Sequence, residues 1–114
     1  MSKKILWYKF EKIAKDFLES KNYKILDTNF TIRGWEIDII AQKDGVVSFV
    51  EVKWTSFHNT DFQDYITKWK QKALKNTAQT WIYRNDNDLI KEYRFDLILI
   101  ENWKIIDFIE DFLD

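Results

Sequence analysis

The residues from 35 to 54 form two runs rich in β-branched side chains, and the dipeptide Asp44-Gly45 separates them. Asp-Gly between two such runs is the strongest short-range signal for a β-hairpin closed by a two-residue type I′ turn. We therefore predict strands over 35–42 and 46–54. The two-residue turn also fixes which residues of these strands face each other.

In the register set by this turn, Asp38 lies directly opposite Glu51, and Glu36 lies opposite Lys53. Directly opposed residues share one face of the sheet. A slip by one residue would mix charged and apolar side chains on the same face, so the apolar pattern supports this register. The other face is then wholly apolar and consists of Ile37, Ile39, Val50 and Val52.

Two carboxylates directly opposed on a sheet destabilise it unless something compensates their charge. A hard divalent cation would do so, because Mg²⁺ takes oxygen ligands and is held by one or two carboxylates together with waters and substrate phosphates. Lys53 projects from the same face and could neutralise charge on a phosphate. Glu11 borders the apolar stripe of the first helix and could point toward the end of the sheet. The alternative is a solvated sheet face with an ordinary Glu36–Lys53 salt bridge, which explains Asp38 opposite Glu51 poorly.

The chain has 114 residues, of which 46% are hydrophobic, and we predict one globular domain over residues 1–114. It contains no cysteine, which excludes disulfides, cysteine-ligated zinc and thiol nucleophiles and suits a reducing compartment. The sequence shows neither a membrane-spanning run nor a signal-peptide pattern. We therefore expect a cytoplasmic protein that has no membrane partner.

The hydrophobic periodicity places the remaining elements in the order α-β-β-β-α-β-β. This order predicts an α/β (α+β) fold with a mixed sheet flanked by helices. The predicted helices cover 4–20 and 61–84, the second with Phe62, Tyr65, Ile66, Trp69 and Ala73 on one face; the other strands cover 22–33, 93–100 and 104–110.

The net charge of −1 does not indicate a nucleic-acid-binding protein, but the charge is unevenly distributed. Five basic residues and no acid occur between Ile66 and Arg84. They could neutralise phosphates, a sequence-independent contribution that weakens as salt rises, or they could form a solvated helix surface. The lysines of this segment are Lys68, Lys70, Lys72 and Lys75.

Three further residue predictions concern structure. We expect His58 in an exposed loop and Asp96 as a buried partner of Arg94 or Lys70. We expect Trp69 and Trp81 in the core or at an interface. The alternative is that their rings are exposed beside the lysines, where they could stack on bases.

The acidic residue on one strand and Glu51-Val52-Lys53 on the next resemble the D…(D/E)-x-K signature of the restriction-endonuclease-like superfamily of metal-dependent nucleases. More narrowly, the chain resembles the YraN-type family of small bacterial proteins. The matching segments are "FEKIAKDFLESKNYKILDTNF" (10–30), "WEIDIIAQKDGVVSFVEVK" (35–53), "ITKWKQKALKNTAQTWI" (66–82) and "YRFDLILI" (93–100).

The resemblance implies a restriction-endonuclease-like fold with Asp38 and Glu51 as ligands of Mg²⁺ or Mn²⁺ and Lys53 as the catalytic lysine. Glu11 and Glu36 match further acidic positions of that site, and Lys70 matches a lysine of the later helix. Two positions depart from the family pattern: Trp35 replaces the usual glycine before Glu-x-Asp, and Thr55 replaces an arginine that often follows Glu-x-Lys.

Three functions follow from these observations. The first is a metal-dependent nuclease acting on DNA, on branched or damaged structures in the manner of archaeal Holliday junction resolvases; a homodimer that bridges two duplex strands would suit such an activity. The second is a non-catalytic nucleic-acid-binding domain with the same fold. The third is a protein-interaction module that uses the aromatic surfaces.

Overall fold

The computed structural model describes residues 2–54 and 66–113 and has the predicted order of elements, α-β-β-β-α-β-β. His58 and Thr55 lie outside the described residues, as do Phe62 and Tyr65. The elements are α1 (Lys3–Ser20), β1 (Lys24–Ile32), β2 (Trp35–Lys43), β3 (Val46–Trp54), α2 (Lys68–Asn85), β4 (Glu92–Glu101) and β5 (Lys104–Ile109).

The ends of α1 are set by polar side chains and by one left-handed residue. Ser2 is the N-cap, and its Oγ accepts a hydrogen bond from the main-chain N–H of Ile5 at 3.2 Å. At the other end Asn22 has φ +71, and the N–H of Tyr23 donates to the carbonyl of Leu18 at 3.0 Å. This is the Schellman arrangement, which satisfies carbonyls that the helix leaves free.

The β2–β3 hairpin has the predicted turn and register. Asp44 and Gly45 have φ +52 and +81, as a type I′ turn requires. The antiparallel ladder runs from Lys43 opposite Val46 to Ile39 opposite Val50. A side chain at Gly45 would also crowd Lys91, because a Cβ there would lie 3.3 Å from that side chain.

The five strands form one mixed sheet in the order β1-β2-β3-β4-β5. Only β3 and β4 are parallel among these neighbours, and α2 lies in the crossover between them. The two helices pack on opposite faces. The core beneath α1 includes Phe10, Ala14, Leu18, Ile39, Val50, Val52 and Ile98, and the core beneath α2 includes Ile40, Phe49, Leu74, Ala78, Trp81, Leu97 and Leu99.

The prediction that Ile37 shares an apolar face with Ile39 and Val50 is wrong. Ile37 packs in the core beneath α2 and not beside Ile39 and Val50. The β2–β3 ladder ends before Ile37, and Asn29 in the neighbouring strand β1 has φ +54. A left-handed residue within a strand interrupts the regular alternation of side chains, so β2 turns a different side to the helices beyond Ile39.

The second helix begins later than predicted. Thr67 is its N-cap, in an extended conformation, and its side chain accepts from the N–H of Lys70 at 3.1 Å. Ile66 is therefore buried outside the helix. Trp69 is 68% exposed, which contradicts its predicted place on the buried face, whereas Trp81 is buried as predicted.

Asp96 is fully buried and joins β3, β4 and the segment after β5. It pairs with Arg94, whose Nε lies 2.8 Å from Oδ1, and not with Lys70. Ser48 Oγ donates to its Oδ2, and the N–H of Asp111 donates to its Oδ1 at 2.9 Å. Removing one member of a buried charged pair leaves the other without its compensating charge.

We expect Asp96→Asn to lower the free energy of unfolding by about 3 kcal/mol, because the substitution removes the charge that Arg94 and the hydrogen bonds from Ser48 and Asp111 stabilise. Urea denaturation followed by circular dichroism measures this change. The matched control is Asp16→Asn, since Asp16 forms an exposed i, i+4 ion pair with Lys12 on α1 and should cost about 0.5 kcal/mol or less. Equal costs for the two variants would contradict the structural role of Asp96.

Candidate functional site

The candidate site lies where β2 and β3 stop pairing. Their ladder ends at Ile39 opposite Val50, one pair before Asp38 and Glu51. Beyond that point the N–H of Val52 donates to Asp38 Oδ2 at 2.8 Å. The carboxylate of Asp38 therefore takes the place of a main-chain carbonyl as the acceptor for Val52. This hydrogen bond holds Asp38 beside Glu51.

Asp38 and Glu51 are only 7% and 3% exposed. This burial contradicts the alternative of a solvated sheet face for these two residues. Burial raises the pKa of Asp38 well above its ordinary value, and the negative charge of Glu51 raises it further. Burial also raises the pKa of Glu51, against the opposing effects of Lys70 and Lys53.

Two lysines face this carboxylate pair. Lys70 Nζ lies 3.6 Å from Glu51 Oε2. Lys53 is half-buried, and its pKa is lowered first by burial and then by its neighbour Lys70. The carboxylates Asp38 and Glu51 act on Lys53 in the opposite direction. The structure thus brings Lys53 close to Asp38 and Glu51, and it adds Lys70 of α2 to this group.

One carboxylate oxygen of the Asp38–Glu51 pair has no hydrogen-bond partner within the described ranges. Glu51 Oε1 is buried and unpaired, whereas its Oε2 faces Lys70. A buried acceptor without a donor is costly, and a cation would satisfy it. Among residues 2–54 and 66–113 no group of three or more His, Cys, Asp or Glu side chains is placed to hold a metal. The residues fit an ion such as Mg²⁺, which needs only one or two carboxylates when substrate phosphate supplies further ligands.

Glu36 and Glu11 lie at the margin of the site. Burial raises the pKa of Glu36, and the nearby charge of Glu11 raises it further. The cation that acts on Glu36 is Lys70. The predicted cross-strand pair of Glu36 with Lys53 is therefore wrong, because the β2–β3 ladder does not extend to these residues.

Glu11 is buried and already has two partners. Asn29 Nδ2 donates to its Oε2 at 2.7 Å, and Lys15 Nζ lies 3.7 Å from its Oε1. These contacts join Glu11 of α1 to Asn29 of β1, and the charge of Glu11 acts on Glu36. Sequence reasoning missed Asn29. Its only signal was an asparagine in the middle of a strand, where that residue type is depleted.

The lysines of α2 do not form one basic surface. Lys70 turns inward to Glu51. Lys68, Lys72 and Lys75 are exposed, and their i, i+4, i+7 spacing places them on another side of the helix. The predicted phosphate-binding set therefore divides into one site residue and three surface residues.

The chain belongs to the uncharacterised protein family UPF0102, whose family model matches residues 10–100. This confirms the predicted YraN-type family. The chain is 41% identical to a UPF0102 protein of Campylobacter hominis over 108 residues, covering 91% of this chain and 93% of the relative. It is 41% identical to a UPF0102 protein of Flavobacterium psychrophilum over 93 residues, covering 79% and 75%.

Two solved structures resemble the fold loosely. An XisH family protein from Nostoc punctiforme aligns with a TM-score of 0.46 at 12% identity, over 89% of this chain and 98% of that one. An fdxN element excision controlling factor protein from Anabaena variabilis aligns with a TM-score of 0.43 at 13% identity, with the same coverage. Within the described residues, neither helix is long and apolar enough to cross a membrane.

The carboxylate pair leads to a prediction about stability in metal-free buffer. Asp38→Asn keeps an oxygen to accept from Val52 and removes one of two close negative charges, so we expect it to raise the free energy of unfolding at pH 7 by about 1 kcal/mol. The folded state holds the Asp38 proton more tightly than the unfolded chain does. Asp38 therefore contributes fully to the parent's free energy of unfolding below pH about 4, and this contribution is lost as the pH rises through the raised pKa of Asp38.

Urea denaturation of parent and variant at several pH values between about 4 and 7 measures this difference. The gain should be small at the acidic end, where Asp38 is protonated, and should grow toward neutrality. Asp16→Asn is the control and should show no such growth, because Asp16 lies in an exposed ion pair with Lys12. A less stable Asp38→Asn protein at pH 7 would contradict the charge crowding.

Proposed function

We propose that this protein is a divalent-metal-dependent nuclease that hydrolyses phosphodiester bonds in DNA, with branched or damaged structures among its substrates. The observation that carries the proposal is the buried pair of carboxylates Asp38 and Glu51. Burial raises the pKa of both carboxylates, and two lysines face them. Groups with strongly shifted pKa values that converge in one place are more often functional than structural. The absence of cysteine suits action in the cytoplasm.

Membership of the restriction-endonuclease-like superfamily is part of this proposal. Two features support it: the order α-β-β-β-α-β-β, and an aspartate on β2 followed by Glu-x-Lys on β3. The point where β2 and β3 part places these three residues in one cluster. Geometry and sequence pattern therefore support the same assignment.

In this proposal Asp38 and Glu51 hold Mg²⁺ or Mn²⁺, and Glu51 Oε1 is the acceptor that such an ion would satisfy. When bound, the ion supplies Lewis-acid activation of the phosphate and of the attacking water. Lys70 Nζ holds the other oxygen of Glu51 and so orients this carboxylate.

Lys53 has a separate role. Because burial and Lys70 lower its pKa, Lys53 Nζ can give up a proton more readily than an exposed lysine. In its charged form it donates to a phosphate oxygen, and in its neutral form it can accept a proton from the attacking water. Lys53 is accordingly the residue that donates or accepts a proton in the proposed reaction.

A non-catalytic nucleic-acid-binding domain is the second candidate function. The observation in its favour is that Lys68, Lys72 and Lys75 are exposed on a side of α2 separate from the carboxylate pair. Such a domain would bind DNA with a steep salt dependence, and alanine at Asp38 or Glu51 would leave binding unchanged.

Calorimetric titration of Mn²⁺ into the purified protein tests the metal site. We expect binding by the parent and loss of binding in Asp38→Ala and in Glu51→Ala. The control Asp16→Ala should bind like the parent, because the Asp16 carboxylate is exposed on α1 and paired with Lys12. The titration is repeated with DNA present, since substrate phosphate supplies metal ligands. If the parent binds no Mn²⁺ in either experiment, the nuclease proposal is wrong and the non-catalytic domain replaces it.

Cleavage assays on four-way junctions, nicked duplexes and single strands test the role of Lys53. We expect Lys53→Ala to retain Mn²⁺ binding and to slow cleavage by about 10² to 10³-fold, the effect of removing one group that stabilises transition-state charge. Lys9→Ala removes an equal charge from the exposed surface of α1 and should cleave at nearly the parent rate. Unimpaired cleavage by Lys53→Ala would exclude this residue from the chemistry.

A further inference from the structure

A groove of about 780 Å³ runs between α2 and the turn that joins β1 to β2. Arg33 comes from that turn, where it has φ +51 and is exposed. The α2 side of the groove extends from Trp69 to Arg84, which is about 22 Å along a helix. The groove is therefore long enough for several nucleotides.

The charged residues that line the groove are basic among residues 2–54 and 66–113. They are Arg33, Lys72 and Arg84, and within these ranges no carboxylate lines the groove. None of these three forms an ion pair with a residue in the part of the chain that the structure describes. Between them lie Asn76 and Thr80, whose side chains are neutral hydrogen-bonding groups. An anionic chain fits this lining.

Two tryptophans form one end of the groove. The rings of Trp35 and Trp69 contact each other with centroids 4.8 Å apart and an interplanar angle of 54°. Most of Trp69 remains exposed, at 68%. A large ring held by a second ring and open to solvent offers a surface on which a flat base can stack.

The tryptophan end of the groove adjoins the candidate site through the chain itself. Trp35 directly precedes Glu36, and Trp69 directly precedes Lys70. Lys70 Nζ lies 3.6 Å from Glu51 Oε2, so an anionic strand lying along the groove would reach the residue that contacts Glu51. Trp35 is also the position where this sequence departs from the glycine that the family pattern has there.

We propose that this groove binds an unpaired segment of nucleic acid, with a base stacked on Trp69 and phosphates held by Arg33, Lys72 and Arg84. Bases in a duplex expose only their edges, because their faces are stacked on each other, whereas unpaired bases offer a face to an aromatic ring. Resting on the proposed nuclease function, this inference names its substrate class: junctions or flaps in which a single strand leaves the duplex beside the cleaved phosphate.

Fluorescence anisotropy in EDTA measures binding to short labelled oligo-dT, oligo-rU and duplex DNA. We expect both single strands to bind more tightly than the duplex, and Trp69→Ala to weaken single-strand binding about tenfold, which equals about 1.4 kcal/mol. Tyr83→Ala is the matched control, because Tyr83 is an aromatic residue of α2 that is 91% exposed and does not line the groove. It should bind like the parent. A preference for oligo-rU over oligo-dT would assign the groove to RNA.

The salt dependence of the same assay tests the phosphate contacts. Lys72→Ala should reduce the slope of log K against log salt by about 0.7, the value for one phosphate contact on a single strand. Lys9→Ala removes the same charge from α1 on the opposite side of the sheet and should leave the slope unchanged. An unchanged slope in Lys72→Ala would overturn its assignment to the groove.

The two proposals fail differently. If Trp69→Ala binds single strands as the parent does, or if the duplex binds as tightly as the single strand, the groove inference is wrong, whatever Asp38→Ala does to cleavage. If the parent cleaves nothing but loses single-strand binding in Trp69→Ala, the groove is a binding site and the nuclease proposal is wrong.

Discussion

The type I′ turn at Asp44-Gly45 is the constraint on which the rest of this structure depends. A two-residue turn with positive φ at both positions allows only one register between β2 and β3. That register brings Asp38 next to Glu51 at the end of the ladder. A change of turn length by one residue would exchange the faces of the strand and separate the two carboxylates.

The cluster at the end of this hairpin is held in place by contacts that differ in kind. The N–H of Val52 fixes Asp38, Lys70 fixes one oxygen of Glu51, and Asn29 fixes Glu11. Each contact comes from a different element, so the site depends on the sheet and both helices being assembled. Burial raises the pKa of both central carboxylates, and at Asp38 the crowding of its charge against Glu51 raises the pKa further. A fold tolerates such crowding most readily where it serves a function.

Much of the site could be predicted because local rules decide it. The Asp-Gly turn, the β-branched runs and the Glu-x-Lys spacing are short-range features, and they placed Asp38, Glu51 and Lys53 together. The start of α2 could not be predicted in the same way, because Ile66 continues the apolar pattern although it precedes the Thr67 cap. Apolar periodicity shows that a residue is buried, but it does not show which element buries it.

The sequence by itself determined the order of the elements, the register of the hairpin and the family, since each depends on residues that are close along the chain. The tertiary structure decided what contacts between distant segments control: Asn29 on Glu11, Lys70 on Glu51, and the exposure of Trp69 beside Trp35. Helical periodicity predicted a buried Trp69, but burial depends on what covers a side chain. The residue beside Trp69 is Trp35 of β2, which is distant along the chain and which the helical pattern of α2 does not reveal.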